Sequence, residues 1–224
     1  GGCRAQWTGI MTGNSPLVGI AFNSFAPAAN RSDETISETS VEQTAAELFA
    51  ALRDAGYAAV LLPLRDSLTD LVERLREQPC DLLINLCEAF RGIPQLEPHV
   101  AAFFEAMGWP FTGNSPVTLA LCQQKFVSKA ILQAHGLPCP DGALVQPGAE
   151  LPDIALPVIV KPNAEDASLG IHPDSVIYER AQLQRQVERI WTGYHQPALV
   201  ERFIEGREFN VGVLQRGSRL EALP

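Results

Sequence analysis

The chain has 224 residues, of which 46% are apolar and 19% charged, and it carries a formal net charge of −9. That composition is typical of a globular protein with one large or two modest cores, and the negative balance argues against nucleic acid as a partner. The longest apolar runs have about seven residues, far fewer than the ~20 that cross a bilayer, so we expect no membrane partner.

The N-terminal residues carry no periodicity. We predict that residues 1–16 are a disordered or non-native leader, with Met11 as the natural start. The five cysteines include no CxxC pair, and the four histidines include no HxxxH pair. Both facts argue against a metal site, and we expect reduced, mostly buried thiols in a cytoplasmic protein.

Residues 17–114 alternate apolar runs with segments of helical spacing. The predicted strands are 17–22, 57–64 and 81–86, and the predicted helices are 40–56, 67–78 and 97–108. Ser40 and Ser67 are suitable N-caps, and Gly56 and Gly108 are suitable stops. This alternation predicts a parallel sheet with helices on its faces, hence a Rossmann-like α/β domain.

The first predicted strand leads into "GIAFNSFAP", which lacks the G-x-G-x-x-G dinucleotide fingerprint. The chain also contains no G-x-x-x-x-G-K-[ST] sequence. A nucleotide would therefore have to be held by other means.

The second half has a different pattern, which predicts an α+β arrangement with antiparallel pairing. One or two helices are expected between residues 112 and 140, with Lys125 and Lys129 four residues apart. The remaining predicted elements are extended segments at 143–146 and 156–161, a helix at 179–192, and strands at 197–202 and 207–214.

Lys161 ends an apolar segment and precedes a loop of small residues, "NAEDASLG". A lysine beside a Gly/Ser loop is a suitable phosphate ligand, because small side chains let backbone N–H groups approach an anion. Ser168 offers a hydroxyl, and Gly170 supplies conformational freedom. The alternative interpretation is a surface turn with a solvated lysine.

A second candidate segment is "ALVERFIEGREFNV" (198–211). Phe203 and Ile204 offer apolar contacts for an adenine base, and Glu208 offers an acceptor for ribose hydroxyls. The alternative is a plain β-hairpin with charged turn residues.

These segments occur in a recognisable order: "NLCEAFRGIPQLEPHVAAFFEAMGWPFTGNSPVTLALCQQK" (85–125), "VIVKPNAEDASLGI" (158–171) and then "ALVERFIEGREFNV". The chain resembles ATP-grasp enzymes, in particular the D-alanine–D-alanine ligase branch. The resemblance covers residues 80 to 224 well and 17 to 79 only at the level of fold. It implies a Rossmann-like pre-ATP-grasp domain (17–114), an ATP-grasp N-terminal subdomain (115–196) and the start of an incomplete C-terminal subdomain (197–224).

The resemblance also implies the site residues. Lys125 and Lys161 would contact the phosphates and the adenine edge of ATP. The loop that closes over the γ-phosphate would include Glu165, Ser168 and Gly170, with Ser168 also acting in catalysis. The residues implied to hold the adenosine are Glu201, Arg202, Phe203, Ile204 and Glu208.

The implied reaction is ATP-dependent ligation, in which a carboxylate becomes an acylphosphate that an amine captures. With D-alanine as the substrate, it would supply peptidoglycan precursors. We expect Mg²⁺ as a cofactor with its ligands beyond residue 224, so the chain alone is expected to be inactive. We expect ATP and small amino acids as partners. Because members of the family that the chain resembles are often homodimers, the resemblance also implies a homodimer.

The chain departs from the family pattern in three ways, and the first two weaken the expectation that D-alanine is the substrate. The family's Gly-Gly turn after the first strand is missing; Glu38 or Glu42 is a substitute for the acidic residue that follows it, and neither can be assigned. The first of two adjacent loop serines is replaced by Ala167. The carboxylates and asparagine that bind magnesium lie beyond residue 224.

Glu88 follows the third predicted strand. In a parallel sheet the carboxyl ends of strands gather ligands, so we include Glu88 as a candidate catalytic residue. A solvated loop glutamate is the alternative. Three functions stay open: a D-alanine–D-alanine ligase-like enzyme, a ligase for other amino acids or peptides, and a non-catalytic ATP-binding module.

Overall fold

The computed structural model describes residues 16–24, 34–165 and 168–223. They divide into two compact units. The first unit contains the described residues up to Ile131 and those within Asn163–Leu169, and the second contains Leu132–Pro162 and the described residues from Gly170 onward. The predicted leader (apart from residue 16) and Ala167 lie outside the described residues.

The first unit is built on a three-stranded parallel sheet. Its strands are β1 (Leu17–Asn23), β2 (Ala58–Leu64) and β3 (Leu82–Leu86), in the order β2-β1-β3. Both pairings are parallel. The prediction of a parallel sheet is therefore confirmed.

Helices cover both faces of this sheet. They are α1 (Glu34–Asp54) on one face and α2 (Leu68–Glu77) and α3 (Glu97–Ala106) on the other. Two further helices follow, α4 (Pro116–Gln123) beside α3 and α5 (Lys125–Ala134), whose last turn belongs to the second unit. Alternate residues of a strand point to opposite faces. Ile20 accordingly packs with α1, whereas Ala21 packs with α2 and α3.

Gly19 shows how tightly the α2/α3 face is packed. A Cβ atom on Gly19 would lie 2.7 Å from Leu62 Cδ1 and 2.8 Å from Leu83 Cδ2. A larger residue at this position would require the side chains of both leucines to shift.

The helix predicted at 40–56 begins earlier than expected. The structure has α1 starting at Glu34, so Ser40 lies inside the helix and the prediction that it is the N-cap is wrong. No glycine or proline lies between residues 34 and 40, and so no strong helix breaker stops the helix from extending in this direction. The N-cap predicted at Ser67 is confirmed, since its Oγ accepts from the backbone N–H of Thr69.

The second unit contains a four-stranded antiparallel sheet in the order β4-β7-β5-β6. These strands are β4 (Gly142–Val145), β5 (Val158–Pro162), β6 (Val176–Ile177) and β7 (Ala198–Arg202). Helix α6 (Arg180–Tyr194) packs on the sheet through a buried cluster that includes Leu183, Val187 and Ile190. The indole N–H of Trp191 donates to the carbonyl of Val145 at 3.1 Å and fixes α6 against β4.

A two-stranded hairpin ends the described chain, with strands β8 (Val213–Arg216) and β9 (Arg219–Ala222). The strand predicted at 207–214 is therefore wrong for residues 207–212. The position of the turn explains the difference. Arg216 pairs with Arg219, and Gly217 adopts φ = 62°, so a two-residue turn at 217–218 sets the register.

The thiols were predicted to be mostly buried, and the structure differs from this prediction. Within the described residues, Cys80, Cys87, Cys122 and Cys139 form no disulfide, but only Cys87 is buried and Cys122 is exposed. None of the helices in the described part of the chain is both long and apolar enough to cross a bilayer.

Burial, together with the nearby carboxylates of Glu97 and Glu88, raises the pKa of the Cys87 thiol to about 12. Because the thiolate is the nucleophile, this shift lowers the reactive fraction near neutral pH by about a thousandfold. We therefore expect iodoacetamide at pH 8 to label Cys122 and to leave Cys87 unlabelled until the protein is denatured. Peptide mass spectrometry measures both, and equal labelling of the two in the folded protein would contradict the burial of Cys87.

Candidate nucleotide site

A short ion pair in the second unit joins two of the predicted site residues. Lys161 Nζ lies 2.6 Å from Glu201 Oε2, and the two side chains are only 22% and 7% exposed. Lys161 is near the end of β5, and Glu201 lies on the neighbouring strand β7 opposite Ile159. The ammonium and the carboxylate thus neutralise each other across two adjacent strands of the sheet, where one donor and one acceptor group lie side by side.

The residues after Glu201 continue to bond with neighbouring strands. The backbone N–H of Arg202 donates to the carbonyl of Asp141, and that of Phe203 donates to the carbonyl of Pro157, each at 2.8 Å. These two amide protons are therefore already used inside the unit. Backbone recognition of an adenine in this segment would depend on carbonyl groups and on the N–H of Ile204.

Side chains beyond Phe203 are exposed. Ile204 is 59% exposed, and Glu208 is exposed on the segment that leads to β8. The guanidinium of Arg207 lies 5.1 Å from the ring centroid of Phe209, within the range of a cation–π contact. The structure therefore places the apolar side chain of Ile204 and the carboxylate of Glu208 at the surface of the second unit.

The predicted phosphate loop contains two residues with positive φ. Ser168, in the first unit, is exposed with φ = 62°, and Gly170, in the second, has φ = 76°. A Cβ on Gly170 would contact the ring of Pro162 and lie 3.0 Å from Tyr194 Cζ. Glycine is thus required at position 170 by its backbone conformation and by its neighbours.

In the first unit, Lys125 is the first residue of α5. Its backbone N–H donates to the carbonyl of Asn163 at 3.0 Å, and its ammonium donates to the carbonyl of Glu165. The carboxylate of Glu165 in turn accepts from Gln95 Nε2 at 3.0 Å. Two predicted nucleotide ligands, Lys125 and Glu165, are therefore in direct contact.

Asn163 was not predicted as a site residue. Its side chain is buried, accepts from the backbone N–H of Phe126 at 3.0 Å and donates to Gln124 Oε1 at 2.6 Å. The residue lies directly after Lys161 and Pro162, where an asparagine in sequence indicates only a turn.

Glu88 lies at the carboxyl end of β3, as predicted, and its side chain is exposed. Asn23, at the end of β1, fixes the loop that carries it. Asn23 Oδ1 accepts from the backbone N–H groups of Glu88 (2.7 Å) and Ala89 (3.1 Å), and Nδ2 donates to the carbonyl of Ala89 (2.6 Å). Asn23 was also missed from sequence, although it stands where the family's Gly-Gly turn was expected.

The remaining candidates from sequence are less informative. Glu42 is exposed on α1, and the side chain of Glu38 lies outside the described residues. Within the described ranges, no group of three or more His, Cys, Asp or Glu residues is arranged to hold a metal ion.

Comparison with known proteins identifies relatives that match most of the chain. The profile of the family described as "D-ala D-ala ligase C-terminus" matches residues 146–223. The uncharacterized protein y4sG of Sinorhizobium fredii is 35% identical over 181 residues, which cover 78% of this chain and 52% of y4sG. The D-alanine–D-alanine ligase of Xanthomonas axonopodis pv. citri is 31% identical over 212 residues, which cover 89% of this chain and 64% of that ligase.

The fold has solved counterparts. The crystal structure of D-alanine–D-alanine ligase from Bacillus anthracis complexed with ATP aligns with a TM-score of 0.67 and 19% identity, covering 94% of this chain and 71% of the ligase. The chain spans about half of the length of several of the curated relatives that it matches. Together, these comparisons show that the chain is similar in sequence to D-alanine–D-alanine ligases and shares the fold of a solved one.

Proposed function

We propose that this chain is part of an ATP-dependent carboxylate–amine ligase that resembles D-alanine–D-alanine ligase. The observation that carries the proposal is the buried ion pair of Lys161 and Glu201, which unites two residues that the family resemblance assigns separately to ATP. A lysine held by a single carboxylate oxygen keeps further donor protons for an incoming phosphate or ring nitrogen. Glu201, in turn, keeps acceptor capacity for an amino group.

The proposed roles of the other residues follow from their positions. Lys125 would contact the phosphates of ATP, with Glu165, Ser168 and Gly170 in the loop beside them. Arg202, Phe203 and Ile204 would line the adenine, and Glu208 would accept from the ribose hydroxyls. As part of this proposal we keep the domain boundaries that the resemblance implies, which lie after residues 114 and 196.

The chemistry would be phosphoryl transfer followed by acyl transfer. A substrate carboxylate attacks the γ-phosphate and releases ADP, and an amine then displaces phosphate from the resulting acylphosphate to form the C–N bond. Cationic side chains such as Lys125 would offset the negative charge on the transferring phosphoryl group. Mg²⁺ supplies the same kind of stabilisation in such reactions, but the described residues contain no cluster that fits it, so we assign no step to it here.

The substrate is the least constrained part of the proposal. The end of β1 carries Asn23, whose amide fills the turn and bonds to residues 88 and 89. A Gly-Gly turn has no side chains with which to do this. The loop around Glu88 is therefore supported differently from what the family pattern predicts, and this favours an amino acid other than D-alanine as the second candidate substrate.

Two further expectations belong with this function. A cytoplasmic location suits an enzyme that uses ATP. A homodimer remains a prediction by analogy with the family.

The primary test is phosphate release by the complete natural protein with ATP, Mg²⁺ and single or paired D- and L-amino acids. We expect release that depends on an amino acid, with a dipeptide appearing in equal amount. If phosphate release depends on D-alanine, then D-alanine is the substrate. If release depends on another pair of amino acids, then that pair replaces D-alanine as the substrate. ATP binding without release across the panel would contradict the ligase and leave a binding module.

The ion pair can be tested by removing both charges at once. Lys161→Ala alone would leave the Glu201 carboxylate buried without its cation, at a cost of about 1–3 kcal/mol in the free energy of unfolding. We therefore expect the double variant Lys161→Met/Glu201→Gln to keep its melting temperature within a few degrees, but to bind ATP at least ~10-fold more weakly. Calorimetric titration and thermal melting measure these two effects.

The exposed ion pair between Arg189 and Asp174, at 2.9 Å, provides a matched control. Arg189→Met/Asp174→Asn also removes one charge of each sign from the second unit and should leave ATP affinity unchanged. Normal ATP affinity in the Lys161/Glu201 double variant would exclude this pair from the nucleotide site.

Glu208→Ala should weaken ATP binding about tenfold, because a carboxylate that accepts from ribose hydroxyls forms a charged hydrogen bond. The affinity for 2′,3′-dideoxy-ATP, which lacks those hydroxyls, should be equal in the parent and the variant. Glu205→Ala, in the same exposed segment, is the control and should change neither affinity. An equal loss for both nucleotides in Glu208→Ala would mean that Glu208 does not contact the ribose.

A further inference from the structure

The geometry points to Asn163 as a positioning residue that holds Lys125 in place for the phosphates of ATP. This inference rests on the proposed function, because it assumes that Lys125 contacts ATP. The sequence alone indicated no role for Asn163. Because the role inferred from the geometry concerns the phosphates of ATP, loss of Asn163 should weaken the binding of ATP and not that of adenosine.

The first step concerns the N-terminus of α5, the helix that begins at Lys125. The first backbone N–H groups of a helix have no partner within it and must be satisfied from outside. Asn163 satisfies two of them. Its carbonyl accepts from Lys125 N–H and its Oδ1 accepts from Phe126 N–H, both at 3.0 Å. The cap of this helix therefore comes from a residue 37 positions after Phe126.

The second step concerns the orientation of the Asn163 side chain. The residue is only 4% exposed. Its Nδ2 donates to Gln124 Oε1 at 2.6 Å, so both ends of the amide are engaged, one by the residue before α5 and one by the second residue of α5. A buried amide with both ends bonded is held in a single orientation.

The third step concerns the other end of Lys125. Its ammonium donates to the carbonyl of Glu165, two residues after Asn163. The backbone and the charged group of Lys125 are thus both bonded to one short segment, 163–165. Gln95 holds the same segment through Glu165 Oε1 at 3.0 Å. The position of Lys125 is consequently set by the position of this segment.

Loss of the Asn163 side chain should therefore loosen the start of α5, and it should affect ATP through the position of Lys125 there. We expect Asn163→Ala to speed hydrogen exchange at the first amides of α5 about tenfold, because Phe126 N–H loses its acceptor. ATP should bind about five- to tenfold more weakly, the effect of a lost cap. Adenosine has no phosphate for Lys125 to contact, and its affinity should stay within about twofold.

The experiment uses the complete protein and measures ATP and adenosine affinities by calorimetry and hydrogen exchange by mass spectrometry. Asn163→Asp keeps the acceptor and should restore protection of α5 and most of the ATP affinity. Ser67→Ala removes the side-chain cap of α2 instead. It should cost a similar amount of stability and leave both affinities unchanged.

A double variant makes the test decisive. If Asn163 acts through Lys125, Asn163→Ala/Lys125→Met should bind ATP no more weakly than Lys125→Met alone. If Asn163→Ala does not fold, Gln124→Ala removes only the acceptor of Asn163 Nδ2. It should show a smaller but still ATP-specific loss.

Three results would overturn the inference. Equal losses of ATP and adenosine affinity would show a general structural role, and additive losses in the double variant would show that Asn163 acts independently of Lys125. Parent-like ATP affinity in Asn163→Ala would also overturn it, while leaving the proposed function intact. A parent protein that binds no ATP would overturn the proposed function itself, and this role with it.

Discussion

Two opposite charges that become buried on folding must be paired in a fixed geometry. In the second unit this requirement applies to the ion pair of Lys161 and Glu201. Both side chains lie on the face of the sheet opposite the apolar cluster of β5, β7 and α6, and they are largely shielded from water, so an isolated charge there would be costly. Strand β7 therefore has to pair with β5 in one register. That register also fixes the hydrogen bonds of Arg202 and Phe203, and through them the path of the chain toward Glu208.

The two units support their candidate residues in different ways. In the second unit a regular sheet places Lys161 and Glu201, so strand pairing decides their positions. In the first unit side-chain amides do this work: Asn163 holds the start of α5, Gln95 holds Glu165, and Asn23 holds the loop of Glu88. Amide side chains both donate and accept, which suits them to joining loops that have no regular backbone partners.

Much of the fold follows from local sequence patterns. The apolar run "LVGIAF" and its two successors indicated a parallel sheet, and the spacing around Lys125 indicated a helix. The failures involved information that is not local. Residues 34–40 contain several Ser and Thr residues suited to an N-cap, so the pattern does not fix where α1 begins, and the register of the last hairpin depends on Gly217 rather than on the apolar pattern. The contacts of Asn163 and Asn23 join residues 37 and 66 positions apart, so a sequence read in short windows does not reveal them.

The cap on α5 comes from a residue that is synthesised later than the helix itself, and this affects the helix during synthesis. A ribosome completes α5 well before it adds Asn163, and the strand that precedes Asn163 belongs to the second unit. Until that strand emerges, the first amides of α5 have only water as a partner. Nascent chains that end before residue 163 should thus carry Lys125 on a frayed helix, and the first unit reaches its final form only after part of the second has been synthesised.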